Sequence, residues 1–154
     1  MFRWLFGRGG RQAPSGGKSL QVAALPWRRT TSGLEILLIT SRETRRWVIP
    51  KGWPMKNRTH AEAAAREALE EAGVSGRIGQ APIGSFAYAK RRKNGSTRPV
   101  QVEVFALEVE RQAREWREKG QRTLAWVEPA EAARRVDEPD LKALILNFSP
   151  GAVP

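Results

Sequence analysis

The chain has 154 residues, no cysteine and one histidine, and 40% of its residues are hydrophobic. This length and composition fit one domain with its own core, and they exclude a disulfide framework and a zinc site built on thiolates or several imidazoles. With 27 Lys and Arg against 16 Asp and Glu, the formal charge is +11. Such a charge favours a polyanionic partner or substrate, and it leaves nucleic acid, anionic membranes and small polyphosphates open.

Residues 1–18 are rich in glycine and arginine after a few bulky apolar side chains. We predict a flexible basic tail here, outside a folded domain that spans 19–150. The apolar stretch is shorter than the roughly 7 to 15 residues of a signal-peptide core and the ~20 of a membrane span. We therefore expect no membrane insertion and a cytoplasmic location. A tail that touches a membrane surface is the alternative.

The first part of the domain has the pattern of a sheet. Residues 20–27 and 34–39 are β-rich runs on either side of a turn-like Thr-Thr-Ser-Gly segment, which predicts an antiparallel hairpin. A third short strand is predicted over 45–50, and it leads directly into Gly52.

A helix is predicted from His60 to Ala72. Thr59 and Glu62 have the spacing of a capping box, in which each side chain satisfies a backbone donor left unpaired by the helix start. The interior consists of strong helix formers, and Gly73 follows where a left-handed C-cap is favoured. Small apolar residues recur on one face, so this helix can pack closely against a sheet or another helix.

Three carboxylates share a neighbouring face of this helix, because Glu70 and Glu71 follow Glu67 by three and four residues. Like charges at this spacing destabilise an isolated helix by about 0.2–0.5 kcal/mol per pair. A divalent cation reverses that repulsion, since clustered carboxylates are ligands of a hard ion such as Mg²⁺, which also bridges to phosphate oxygens. Spacing alone fits a solvated acidic face equally well, so both interpretations stay open at this point.

Three further strand regions are predicted: a short strand with a turn over 74–83, a hairpin of two long strands over 84–91 and 99–109, and a strand over 121–127. Two helices are predicted after them, over 129–136 and 141–148. The hairpin is predicted from Asn94 and Gly95, because both central residues of a type I′ turn need positive φ. Strands around a short acidic helix, with helices returning at the end, predict an α/β fold. Its expected architecture is an α/β/α sandwich around a mixed sheet.

The segment 52–74 resembles the Nudix box, G-x5-E-x7-R-E-U-x-E-E-x-G-U, in register over its whole length. The matching residues are Gly52, Arg66, Glu67, Glu70, Glu71, Gly73 and Val74. Arg58 departs from the motif where the box has its first Glu, and Ala68 departs from it where a larger aliphatic residue is usual. The resemblance covers roughly residues 19–148 and implies the same α/β/α fold.

Two further segments are similar to the Nudix branch that hydrolyses diphosphoinositol polyphosphates and dinucleoside polyphosphates. One is the Trp-Val-Ile-Pro-Lys-Gly run at 47–52, and the other is the region of Trp116, Arg122 and Trp126. The resemblance therefore implies hydrolysis of a phosphoanhydride bond in a nucleoside diphosphate linked to another moiety, with one of these two substrate classes. The alternative is an RNA 5′-end pyrophosphohydrolase or a catalytically weak RNA-binding Nudix protein.

The resemblance also implies roles for individual residues. Glu67, Glu70 and Glu71 are expected to bind Mg²⁺ or Mn²⁺, together with the backbone carbonyl of Gly52. Glu67 is also the expected general base, and Arg66 is expected to orient the acids.

A fourth acid often joins such a site from elsewhere in the fold, and Glu103 is the first candidate. Alternation along its strand puts Glu103 on the same side as Phe105 and Leu107, and a carboxylate on an apolar face needs a partner. The alternative is an ion pair with an arginine of a neighbouring strand. Glu118 is the second candidate, and a solvated loop acid is its alternative.

Basic residues crowd the predicted hairpin tip and the third strand, where they suit a phosphate chain because Arg grips phosphate bidentately. The predicted substrate-binding residues are Arg45, Lys51, Trp53, Arg91, Arg92 and Lys93. For the basic residues, the alternative is an exposed loop that aids solubility or touches RNA without specificity. Trp53 either stacks on a nucleobase or packs against the sheet. The sequence carries no signal for an oligomeric state.

Overall fold

The computed structural model describes residues 19–151, so the predicted tail at 1–18 lies outside the described residues. In chain order the elements are β1 (Ser19–Thr30), β2 (Gly33–Thr40), β3 (Trp47–Val48), β4 (Lys51–Gly52), α1 (His60–Ala72), β5 (Val74–Ile78), β6 (Gly84–Arg91), β7 (Thr97–Gln112), β8 (Leu124–Val127), α2 (Pro129–Arg135) and α3 (Pro139–Asn147). Of the helices in this range, none is long and apolar enough to cross a membrane.

The strands form one eight-stranded mixed sheet whose main path is β3-β2-β1-β7-β5. β4 pairs with β1, β6 with β7 and β8 with β2. β1 and β2 form the predicted antiparallel hairpin, and β1 also pairs in parallel with β7, from Ser19 opposite Val100 to Trp27 opposite Glu108. The first strand of the described chain therefore lies in the middle of the sheet.

Helices cover both faces of this sheet, which confirms the predicted α/β/α sandwich. Ala64 and Ala68 of α1 are buried against the face that carries Phe105. On the opposite face, α2 and α3 bury Ala132 and Leu141 against a second set of sheet residues. Close packing of α1 follows from its small side chains, which let the helix axis approach the strands.

Both ends of α1 have the predicted caps. The side chain of Thr59 accepts a hydrogen bond from the backbone N–H of Glu62, and the Glu62 carboxylate accepts one from the backbone N–H of Thr59. At the other end, Gly73 has a φ of 71° and its N–H donates to the carbonyl of Leu69. The local sequence alone thus defines where α1 begins and ends.

The predicted third strand is interrupted in the structure. Its first part, β3, pairs with β2, whereas β4 pairs with β1 and places Gly52 opposite Val22. Pro50 lies between the two parts and has no N–H to donate to a ladder, although its carbonyl accepts from the N–H of Ala24. The interruption transfers the chain from one strand partner to the next and brings Gly52 to the middle of the sheet.

β6 and β7 form the predicted hairpin, but the prediction of a type I′ turn is wrong. Within residues 91–97 of the described chain, only Gly95 has a positive φ, of 90°. The N–H of Gly95 donates to the carbonyl of Arg92, and the side-chain oxygen of Asn94 accepts from the N–H of Ser96. Asn94 therefore stabilises a longer loop through its side chain rather than through a left-handed backbone.

Candidate metal centre

The end of β4 lies directly against α1. A Cβ placed on Gly52 would lie 2.1 Å from Oε2 of Glu67, so the carboxylate occupies the space that any larger residue would need. The backbone N–H of Lys51 donates to Oε1 of Glu71 at 3.3 Å. Two of the three predicted acids of α1 are therefore held at the strand end that carries Gly52.

The carboxyl groups of Glu67 and Glu71 are close enough to shift each other's pKa. Burial, followed by the negative charge of Glu71, raises the pKa of Glu67 to about 8. Burial also raises the pKa of the Glu71 carboxyl, although the positive charges of Arg122 and Lys51 oppose it. Two carboxyl groups that share one proton mark a position where an additional positive charge is favourable.

The loop 113–123 brings a fourth acid to this pair. The negative charge of Glu118 raises the pKa of both Glu67 and Glu71, which places its carboxylate near them. Nε of Arg122 lies 2.9 Å from Glu118, and its Nη2 lies 3.7 Å from Glu71. The Glu118 side chain is 17% exposed, so the alternative of a solvated loop acid does not describe it.

Glu70 faces a different set of partners. Its Oε2 accepts a hydrogen bond from Nε of Arg66 at 2.8 Å, and its Oε1 lies 3.7 Å from Nη1 of Arg117. The contact agrees with the expectation that Arg66 orients an acid of α1. Across residues 19–151 no three acidic, histidine or cysteine side chains are already grouped to hold a metal ion.

The residues present nevertheless fit a divalent cation. Carboxylate oxygens are the donors that Mg²⁺ and Mn²⁺ prefer, and a cation here would offset the burial and the Glu71 charge that raise the pKa of Glu67. Glu67, Glu71 and Glu118 would hold such an ion, while the Gly52 carbonyl and Glu70 stay predicted ligands. Glu70 would need only to exchange its contact with Arg66 for the metal.

Glu103 lies apart from this centre. It is in line with Gly52 across the sheet, because both are opposite Val22, and this separates them by two strand spacings, roughly 10 Å. Its Oε1 is 2.7 Å from Nδ1 of His60. His60 is two helical turns before Glu67, again about 10 Å at ~1.5 Å per residue. The partner of Glu103 is thus a histidine rather than an arginine, and its role as a metal ligand stays a prediction.

The predicted substrate-binding residues fall into three places. The ammonium group of Lys51 lies 5.0 Å from the ring centroid of Tyr88, on the sheet face opposite α1, and burial lowers the pKa of Lys51 to about 8. Arg45 donates to the carbonyl of Gln121 at 3.0 Å, beside Arg122. The third place is the hairpin tip, with Arg91, Arg92 and Lys93 exposed. Substrate contact stays a prediction for all of them.

Trp53 is 40% exposed, so it does not pack into the sheet. The guanidinium carbon of Arg98 lies 5.5 Å from its ring centroid. The loop after Gly52, with Trp53, is therefore in contact with the tip end of the β6–β7 hairpin. Arg58, which replaces the first acid of the box, is exposed in the same loop.

The NUDIX domain family matches residues 18–148, which is most of the chain and includes the whole site. The chain belongs to the Nudix family. Among its curated relatives are Nudix hydrolase 12, mitochondrial, of Arabidopsis thaliana and diphosphoinositol polyphosphate phosphohydrolase 3-beta of Bos taurus. The first is 36% identical over 64% of this chain and 50% of its own length. The second is 35% identical over 53% of this chain and 48% of its own length.

This Nudix chain thus spans about half the length of several curated relatives it matches. Nudix hydrolase 16, mitochondrial, of Arabidopsis thaliana is matched further, at 30% identity over 86% of this chain and 81% of its own length. The fold agrees with the crystal structure of C. elegans Ap4A hydrolase, with a TM-score of 0.61, 19% identity and coverage of 84% and 95%. Some relatives are named mitochondrial, so the cytoplasmic location stays a prediction.

The motif predicted the positions of the arginine and the three glutamates of the Nudix box on α1. It did not predict the residues that contact them. Arg122 was visible only as part of a C-terminal similarity, and its contact with Glu71 spans a long stretch of chain. The pairing of His60 with Glu103 was likewise missed, although the capping residues already placed His60 at the start of α1. Neither contact can be predicted from the sequence without knowing that β7 lies beside β1 in the sheet.

The metal-free Nudix chain is expected to lose stability as pH rises toward 8. The folded state holds the proton of Glu67 with a pKa of about 8, above the unfolded value of 4.5, so the associated stability is present below pH 4.5 and is lost by about pH 8. Melting temperatures in EDTA at pH 6, 7 and 8 should fall, and the increase caused by Mg²⁺ should grow over the same range.

Glu67→Gln is the control for this prediction, because it should flatten the fall in EDTA. A fall of equal size in that variant would contradict it. The range stops at pH 8 since Lys51, whose folded pKa of about 8 lies below 10.5, contributes a rise in stability above that pH.

Proposed function

We propose that this Nudix protein is a divalent-metal-dependent hydrolase of a phosphoanhydride bond in a nucleoside diphosphate linked to another moiety. The observation that carries the proposal is the pairing of half-buried Glu67, whose carboxylate lies against Gly52, with buried Glu71. Dinucleoside polyphosphates and diphosphoinositol polyphosphates are the substrate classes we favour. The 35% identity to a protein named diphosphoinositol polyphosphate phosphohydrolase supports the second class.

Breaking a phosphoanhydride with water requires neutralised phosphoryl oxygens, an aligned water molecule and a group that takes its proton. A bound Mg²⁺ or Mn²⁺ ion supplies the neutralising charge. We assign proton acceptance to Glu67, whose carboxylate is fixed against the Gly52 backbone. Glu71 and Glu118 would hold the ion, and Arg122 keeps both of these carboxylates in place from a buried position.

Arg66 has a positioning role in this proposal. Its Nε donates a hydrogen bond to Glu70 on the exposed edge of the site, and it would release that carboxylate to a bound ion. Because Arg66 touches the acid rather than the reacting atoms, its replacement should weaken metal affinity more than it slows the metal-saturated rate.

A substrate screen tests the proposal. The full chain should be incubated with a dinucleoside tetraphosphate, a diphosphoinositol polyphosphate, a nucleotide sugar and a 5′-triphosphorylated RNA, each with Mg²⁺, Mn²⁺ or EDTA. We expect metal-dependent product release from at least one of the first two, with ¹⁸O from labelled water in one phosphate product. Absence of turnover with every compound and both ions would overturn the proposal, and turnover of the RNA alone would replace its substrate class.

A further inference from the structure

Two neighbouring segments of the fold are rich in basic residues and contain no acidic residue. They are the loop 53–59 after Gly52 and the tip of the β6–β7 hairpin. The basic residues concerned, together called the basic surface, are Lys56, Arg58, Lys90, Arg91, Arg92, Lys93 and Arg98. The sequence has no Asp or Glu between Glu43 and Glu62, or between Glu71 and Glu103. Each segment is therefore purely cationic.

The structure joins the two segments into one surface. Gly52 and Ser85 lie in one row across the sheet, because Gly52 is opposite Val22, Val22 is opposite Glu103 and Glu103 is opposite Ser85. From this row, the loop after Gly52 and strand β6 after Ser85 both run toward the same end of the sheet. The contact between Arg98 and Trp53 closes the space between them.

Within the described chain, Lys56, Arg58 and residues 90–93 form no ion pair. Arginines elsewhere, such as Arg28, Arg77 and Arg134, are paired with nearby acids. Arg111 and Arg114, by contrast, form no ion pair among the described residues, so what sets the basic surface apart is the absence of acids from both of its segments.

The hairpin also carries an internal electrostatic cost. Lys90 and Arg98 lie directly opposite each other in the β6–β7 register. Like charges at directly opposed positions destabilise a strand pair. A bound polyanion removes this repulsion, so the register itself favours an anionic ligand.

The dimensions of the basic surface select among anions. From Ser85, in the row of Gly52, to Arg91 the hairpin extends roughly 20 Å at ~3.3 Å per residue. A compact polyphosphate bound at Glu67 and Glu71 does not extend that far, whereas a strand of several nucleotides does. Trp53 stands exposed beside this path, where it offers a ring face for base stacking.

We propose that the basic surface binds single-stranded nucleic acid, whose phosphates contact the cationic side chains and one of whose bases stacks on Trp53. A membrane surface fits less well, because the hairpin tip carries Asn94, Gly95 and Ser96 rather than apolar side chains. The binding is a further activity of the chain and does not require the proposed hydrolysis. A strand bound here has one end beside the metal centre.

Fluorescence anisotropy with labelled 12-mers of oligo(U) and oligo(dT) tests this directly. The full chain is used in EDTA, so that binding is measured without metal-dependent turnover. Affinity should fall steeply with salt, with a slope of log K against log salt near −3.5 for about five phosphate contacts at ~0.7 each. Comparison of the two 12-mers shows whether the sugar contributes.

Charge reversal locates the site. Arg92→Glu with Lys93→Glu should weaken binding by at least about 10-fold and reduce the slope by roughly 1.4, which is the loss of two phosphate contacts. The matched control is Arg111→Glu with Arg114→Glu, which changes the net charge equally at exposed positions on another part of the surface. Trp53→Ala should weaken binding about 5-fold or more with an unchanged slope, since stacking releases no counterions.

Three results would overturn the proposal. Equal weakening in the two charge-reversal variants would show that only net charge matters. No saturable binding of either 12-mer at low salt would exclude the ligand. Binding of inositol hexakisphosphate without binding of the 12-mers would assign the basic surface to a small polyphosphate. Retention of 12-mer binding in Glu71→Gln is expected, so failure of the proposed hydrolase and failure of this surface are separate outcomes.

Discussion

Glu71→Gln is expected to lower the metal-dependent hydrolysis rate by at least about 10²-fold, the scale reached when one electrostatic contact to a developing charge is lost. The substitution removes a buried carboxylate that lies between Arg122 and the backbone N–H of Lys51. The amide oxygen of Gln still accepts the Lys51 hydrogen bond but carries no charge for a metal ion. Turnover of the substrate found in the screen, measured across a Mg²⁺ titration, checks this.

The same variant should keep its fold and melt no earlier than the unmodified chain in EDTA. Two carboxyl groups compete for one proton in the metal-free state, and replacement of Glu71 ends that competition. Loss of activity together with retained or higher stability therefore distinguishes a ligand from a structural residue. Glu110→Gln is the control, because this exposed acid on β7 touches only Arg77 among the described ion pairs. Glu71→Gln activity within threefold of the control would refute a metal-binding role.

Gly52→Ala is expected to cost about 10²-fold in rate, because a misplacement of about 1 Å in a catalytic group has effects of this size. The new methyl group would lie 2.1 Å from Oε2 of Glu67, so the carboxylate must move. Gly52 does not have the positive φ that would make alanine unfavourable in itself. Displacement of Glu67 is therefore the only consequence expected.

Gly79→Ala provides the matched substitution for Gly52→Ala. Its Cβ would meet its nearest atom at 3.7 Å, which is an ordinary van der Waals contact. Metal affinity measured by Mn²⁺ binding should weaken in Gly52→Ala and stay constant in Gly79→Ala. Equal rates and equal Mn²⁺ affinity in the two variants would show that Gly52 does not define the position of Glu67.

Local sequence was sufficient for most of the elements that carry the site. The limits of α1 follow from Thr59 and Gly73, which act within one turn of the helix ends. The α/β/α sandwich was predictable from two patterns of apolar residues. The apolar face of a helix and the alternating apolar residues of a strand each need another layer to cover them. The hairpin of β6 and β7 was predictable, while the form of its turn depended on a side-chain contact of Asn94.

Contacts between distant parts of the chain were not predictable in the same way. Glu103 was predicted at the metal centre from its place on a strand face, whereas its position in line with Gly52 depends on β1 lying between β4 and β7. Glu118 reaches Glu67 and Glu71 only because its own N–H donates to the carbonyl of Glu70. Residue spacing indicates neither arrangement, since the first depends on the order of strands in the sheet and the second on a hydrogen bond between a distant loop and α1.

The parallel pairing of β1 with β7 also determines when the metal centre can form during folding. Gly52 is held on β1, whereas Glu118 and Arg122 follow β7, so the two halves of the centre meet only after strands from opposite ends of the domain have paired. Pairing at such sequence separation is slow, because the loop-closure entropy precedes the gain in contacts. A metal ion therefore has no complete binding site in partly folded chains. Its binding free energy adds to the stability of the native state alone.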